Sequence, residues 1–142
     1  MQTCQQLYFG QLDLALHSEF DASGGEKGNG LVELQRQIAS KYTPHSMPLE
    51  EDRFLCSFGH IFAGGYAAGY YSYKWAEVMS ADAFGAFEDV GLDNEEGVRS
   101  VGKKFRETVL SLGGGVPPAV VFKEFRGRDP SPDAYMRHNG LQ

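Results

Sequence analysis

The sequence predicts an all-α protein. Apolar residues recur at helical spacing, most plainly Val98, Val101, Phe105, Val109 and Leu112, which step by 3, 4, 4 and 3. Helix-start signals precede such segments, as at Asp93 with Glu96 and at Ser131-Pro132. Glycine and proline then punctuate the chain, at Gly113-Gly114-Gly115, at Pro117-Pro118 and at Gly140.

In chain order, Cys4, Tyr8, Leu12 and Leu16 share helical spacing, although Leu12, Leu14 and Leu16 also alternate as a strand would; helix is the favoured reading of 4–17. Asp21 to Asn29, with Gly24, Gly25 and Gly28, reads as a loop. Leu31, Leu34 and Ile38 give a second helix that ends near Tyr42, before Pro44. Residues 43–53 read as an irregular connection, and Ser57 to Gly65 as a glycine-rich loop carrying apolar residues. A long aromatic helix is expected from about Tyr66 to Glu88. Its few outward charges suggest burial on most sides in a larger protein. Asp93 and Glu96 form a capping-box pattern for the next helix, because the Asp carboxylate can accept from a free backbone N–H. Gly113-Gly114-Gly115 ends that helix in the left-handed conformation that glycine tolerates. Ala119 to Phe125 is a short helix. Ser131-Pro132 opens the last one, with proline at its first position, and Gly140 closes it. The expectation is one domain, 1–142, of about five to six helices with a glycine-rich loop.

Composition excludes several functions. Thirteen Lys and Arg face nineteen Asp and Glu, a net charge of −6, so no basic stripe for nucleic acid is expected. No apolar run reaches the ~18 residues of a membrane span. The N-terminus has no basic stretch leading into an apolar one, so neither a secretory signal nor an Arg-rich transit segment is expected. Cys4 and Cys56 form no C-x-x-C and read as reduced, partly buried thiols.

A catalytic zinc needs about three N/O ligands and an open position, usually from H-E-x-x-H on a helix. The histidines are His17, His45, His60 and His138. No two are four apart and none precedes Glu, so no metal is expected in this chain. His17 with Glu19 and Asp21 reads as a surface cluster. No G-x-S-x-G, Cys–His or P-loop signal is present. Tyr66, Tyr70 and Tyr73, at i, i+4 and i+7, would line up three phenols on one helix face just after His60. Either they stabilise an oxyanion or they are an aromatic stripe packed in a core.

The run Phe58-Gly59-His60-Ile61-Phe62-Ala63-Gly64-Gly65-Tyr66-Ala67-Ala68-Gly69-Tyr70-Tyr71-Ser72-Tyr73-Lys74-Trp75-Ala76-Glu77-Val78 resembles a signature region of the thimet oligopeptidase family, its oligopeptidase A branch most closely. Tyr8-Phe9-Gly10-Gln11-Leu12-Asp13-Leu14-Ala15-Leu16-His17, Ser80-Ala81-Asp82-Ala83-Phe84, Phe125-Arg126-Gly127-Arg128-Asp129-Pro130 and His138-Asn139-Gly140-Leu141 extend the likeness in order. It is weakest over 22–45.

The resemblance implies the C-terminal helical portion of a zincin-type catalytic domain, with 54–73 as its glycine-rich loop and tyrosine helix start. It implies zinc endopeptidases that cut short peptides in a channel between helical lobes. By that likeness Tyr66, Tyr73 and His60 stabilise the transition state. Tyr70 and the mobile loop glycines Gly59, Gly64 and Gly65 bind the substrate. The zinc helix of such enzymes lies upstream of everything that matches here, so zinc belongs to the full-length family and the expected partners are short peptides and the N-terminal part of the peptidase. Relatives in mitochondria or chloroplasts are the alternative to a cytoplasmic location. A non-catalytic helical module that binds peptides or pairs with a peptidase is the alternative function.

Overall fold

The computed structural model describes residues 2–18, 20–21 and 29–141. The predicted loop at 21–29 therefore lies largely outside the described residues, as does Glu19. All regular structure among the described residues is helical. Six helices are longer than one turn, and two more are single turns. The chain divides into two compact units, Met1–Lys74 and Trp75–Gln142.

In the first unit, α1 (Gln2–Ser18) packs on α2 (Asn29–Tyr42). Tyr8, Leu12 and Ala15, at helical spacing, bury against Ile38 and Ala39. Helix wins over strand because the alternation fails in three dimensions: Leu12 is fully buried and Leu14 is exposed. Burying a side chain such as Leu12 stabilises the fold by about 1.5–3 kcal/mol. Asp52 ties the connection to α2, since its carboxylate accepts from Gln35 Nε2 at 3.2 Å and from Phe54 N at 2.8 Å.

The expected loop over 57–65 is partly helical. α3 (Phe54–Ser57) and α4 (Gly59–Phe62) are single turns. They form because Phe58 and Ile61 have a core to enter, a cluster with Tyr70 that also takes in Phe9, Leu16 and Phe54. The long helix starts later than its aromatic pattern suggests. α5 spans Ser72–Asp89, and residues 67–71 are turns. Ala68 adopts φ 53°, a left-handed conformation no α-helix contains.

The second unit begins within α5 and adds α6 (Glu95–Phe105), α7 (Pro118–Arg126) and α8 (Asp133–His138). Asn94, not Asp93, caps α6 by accepting from Gly97 N at 3.1 Å. Gly91, at φ 82°, ends α5, and Asn94 N closes a further turn onto its carbonyl, so the cap falls one residue late. The apolar stripe runs on through a π-helical turn, Arg106–Leu110, before the glycines turn as a short 3₁₀ segment. Along it Phe105 meets Phe125 edge-on at 5.2 Å. α7 buries Val121, Phe122 and Phe125 and ends on Gly127 at φ 76°. Pro132 precedes α8 as its cap residue rather than opening it, and Ser131 Oγ accepts from Asp133 N.

Asp82, at 1% exposure, is the polar centre of this unit. Its carboxylate accepts from Arg128 Nη1 at 2.7 Å and Nη2 at 2.6 Å, from Arg126 Nε at 3.2 Å and from Ser131 N at 2.8 Å. Nearby, Glu88 pairs with His138 and Arg137. The His138 contact, then that of Arg137, holds the Glu88 carboxyl below its ordinary range despite some burial.

Both cysteines are exposed, contrary to the expected partial burial. Cys4 shares the face of Tyr8 but lies one turn beyond the core, and Cys56 is not among the residues of either cluster. Large apolar side chains also face solvent: Leu49, Phe62 and Tyr71 in the first unit, Trp75, Phe84 and Leu110 in the second. Such surface promotes association. The isolated chain is accordingly expected to bind a hydrophobic dye and to self-associate as its concentration rises. A monodisperse monomer without dye binding, by light scattering and fluorescence, would contradict this.

Candidate functional site

His60, Tyr66, Tyr70 and Tyr73 come together within the first unit. Tyr66 and Tyr73 stack with centroids 5.2 Å apart, and Tyr70 meets Tyr73 edge-on at 5.2 Å. The His60 ring lies 6.2, 6.0 and 6.4 Å from Tyr66, Tyr70 and Tyr73. The helical-face argument does not produce this cluster, because only Tyr73 is on α5. The turn at 66–71 folds Tyr66 back onto Tyr73 instead: Gly69 N donates to Tyr66 O and Ser72 N to Gly69 O.

The three phenols are not equivalent. Tyr66 and Tyr73 are more than a third exposed, while Tyr70 is buried. The Tyr70 hydroxyl donates to Gln6 Oε1 at 3.0 Å. Burial pushes its phenol above the ordinary value, against the opposing effect of the Gln6 contact. The Tyr73 phenol is also held above its ordinary value, first by its hydrogen bond with Tyr66 and then by burial. At neutral pH the Tyr73 phenol is therefore an O–H donor.

The loop glycines differ as well. A Cβ on Gly64 would lie 2.9 Å from the His60 carbonyl oxygen, so this position needs glycine for the chain to close over His60. Gly65 has φ 76°, and neither it nor Gly59 has an atom within 4 Å of where a Cβ would stand. Their flanks are open.

Sequence reasoning overlooked the floor of the site. Asp13 is fully buried, and its two carboxylate oxygens accept from Ala68 N and Tyr70 N, each at 2.9 Å. His17 Nδ1 is 2.9 Å from the same carboxylate. Gln6, Gly10, Asp13 and His17 follow one another by 4, 3 and 4, a polar and small stripe on α1. Gly10 lies against the Tyr71 backbone, and the His17 ring is 6.0 Å from Phe62. The signal was an acid between Leu12 and Leu14 in an otherwise apolar segment.

Among the described residues no three His, Cys, Asp or Glu side chains gather where a metal could be held. What the cluster offers is two partly exposed phenols and an imidazole for a polar oxygen, with ring faces for apolar groups.

The chain belongs to peptidase family M3, whose profile matches residues 1–141. It is 58% identical over 96% of its length to the probable cytosolic oligopeptidase A of Arabidopsis thaliana, covering 19% of that protein. It is 57% identical to the organellar, chloroplastic/mitochondrial oligopeptidase A of the same plant, over 96% of this chain and 17% of that one. To oligopeptidase A of Escherichia coli it is 45% identical, over 97% of this chain and 19% of that protein. The chain thus spans under a fifth of the length of these relatives. Family M3 depends on zinc, and the residues described here do not fit that ion.

Proposed function

We propose that this chain is the substrate-facing part of an oligopeptidase, and that it grips the backbone of a short, extended peptide. Tyr66, Tyr73 and His60 donate hydrogen bonds to a peptide carbonyl and hold the oxyanion that forms there during hydrolysis. Tyr70 borders the peptide through its ring edge, and Gly59, Gly64 and Gly65 let the loop backbone approach and close over it. The observation that carries the reading is the stacked Tyr66–Tyr73 pair beside His60, with both residues more than a third exposed. Donors aimed at developing charge favour the transition state over the ground state. Membership of a peptidase family and relatives named oligopeptidase A support the substrate class.

Alone, the chain is expected to bind peptides without cleaving them, because donors cannot start hydrolysis without a nucleophile and a base. Its partner is the remaining portion of such a peptidase, and its compartment is the cytoplasm, with organelles the alternative that the plant relatives suggest.

The test titrates a short unstructured peptide into the pure chain and follows labelled tyrosine resonances. Saturable shifts at Tyr66 and Tyr73, weakened several-fold by Tyr66→Phe, are expected. Shifts confined to other residues would overturn the assignment. Chelator-sensitive turnover of a quenched fluorescent peptide by this chain would overturn the claim that it is inactive alone.

A further inference from the structure

We propose that Asp13 is a positioning residue for this site: its buried carboxylate clamps the 66–70 turn and so sets the spacing of Tyr66 and Tyr73. The inference rests on the peptide-binding reading only for the purpose of the site, not for the clamp.

The chemistry of Asp13 is hard to explain otherwise. An acid in a helix interior, flanked by Leu12 and Leu14, is poorly placed for both helix formation and burial. It is fully buried, and His17 is the basic side chain in contact with it. Its two oxygens are divided between two amides, of Ala68 and of Tyr70. Those amides lie in a turn and have no helical ladder to join. One of them belongs to the one non-glycine residue with positive φ among the described residues, Ala68. Strained backbone persists where its surroundings over-determine it, and it clusters at functional sites. Here the surroundings are the α1 stripe. Asp13 holds the amides on either side of Gly69, Gln6 holds the Tyr70 hydroxyl, and Gly10 lets the helix meet the Tyr71 backbone. With Tyr70 fixed, the turn, through Gly69 N donating to Tyr66 O, carries Tyr66 back to stack on Tyr73.

Asp13→Asn keeps the shape and one acceptor oxygen but sets an amide donor against a backbone donor. The experiment labels tyrosine rings in the full chain and titrates the phenols by NMR. In wild type Tyr73 should titrate above an ordinary tyrosine because of Tyr66, and Tyr66→Phe should abolish most of that difference. Asp13→Asn, still helical and melting cooperatively, is expected to lose more than half of the same difference. A folded Asp13→Asn variant with an unchanged Tyr73 titration would overturn the proposal.

Should Asp13→Asn fail to fold, amide exchange on the wild-type chain decides. Ala68 and Tyr70 amides as protected as those in the middle of α1 support the clamp, and rapid exchange at both overturns it. A peptide titration separates the two readings. If Asp13→Asn and Tyr66→Phe weaken peptide binding by similar factors, clamp and peptide site both stand. If the Tyr73 titration moves while peptide affinity does not, the clamp stands and the peptide reading fails.

Discussion

Replacing Asp82 by alanine is expected to lower the stability of the Trp75–Gln142 unit by about 3 kcal/mol at neutral pH. The carboxylate is buried and accepts four hydrogen bonds, three of them from guanidinium groups. Removing it leaves Arg126, itself only 11% exposed, with the Asp89 carboxylate at 3.0 Å, and strands the Ser131 amide. Losing one partner of a buried ion pair costs about 3–5 kcal/mol, against about 5–15 kcal/mol for the whole stability of an ordinary domain. Arg128 is 45% exposed, so its share is screened and the lower end of the range applies.

The same network predicts a pH dependence. Burial pushes the Asp82 carboxyl up, but the hydrogen bonds of Arg128 and Ser131 and the charges of Arg128 and Arg126 outweigh it, leaving the group below its ordinary 3.8. A depressed folded value means the unfolded chain takes up this proton first on acidification. The stabilisation is complete above the ordinary aspartate value and is lost as pH falls through the lower, folded one. Urea melts followed by circular dichroism should therefore weaken for wild type in strong acid and change much less for Asp82→Asn over the same interval. A drop below about 1 kcal/mol for Asp82→Ala, the scale of a surface pair, would refute the network's importance.

Tyr73→Phe is expected to have the largest effect on catalysis. The proper setting is a full-length family M3 peptidase in which this chain replaces the matching segment. The substitution removes one hydroxyl and almost no volume. If that hydroxyl meets the oxyanion, its loss should lower kcat by about 100- to 1000-fold, or about 2.7–4 kcal/mol, with little change in KM. Tyr70→Phe should cost less, because the Tyr70 hydroxyl is already given to Gln6. Steady-state kinetics of both variants on one short peptide distinguish the roles. A raised KM with kcat within about twofold of wild type would make Tyr73 a uniform binding contact instead.

The helical class, α1, α2, α7 and the glycine stop at Gly140 were legible because each depends on residues within a turn or two of one another. Boundaries that depend on distant partners were not. The start of α5 at Ser72 rather than Tyr66 follows a turn whose Ala68 and Tyr70 amides bond to Asp13, 55 and 57 positions away from them in the chain. No local periodicity could reveal it. The tyrosines and His60 were singled out correctly as neighbours on a mistaken geometry: a helical face was expected, and a left-handed turn does the folding. α3 and α4 escaped notice because glycine and serine masked Phe58 and Ile61, whose burial drives those turns. Asn94 displaced Asp93 as a cap because Gly91 adds a turn before α6. The Asp82 network joins segments 44 to 49 positions apart, beyond the reach of any local pattern.

Trp75 is the chain's sole tryptophan, and it stands 55% exposed on α5. All indole emission therefore comes from one known place. In the isolated chain that emission should lie at the red end of the tryptophan range and be readily quenched by iodide. Any surface that covers this part of α5 will shift the emission to the blue and shield it from the quencher. The chain thus carries its own optical probe for any surface that comes to cover this part of α5, readable without label or mutation.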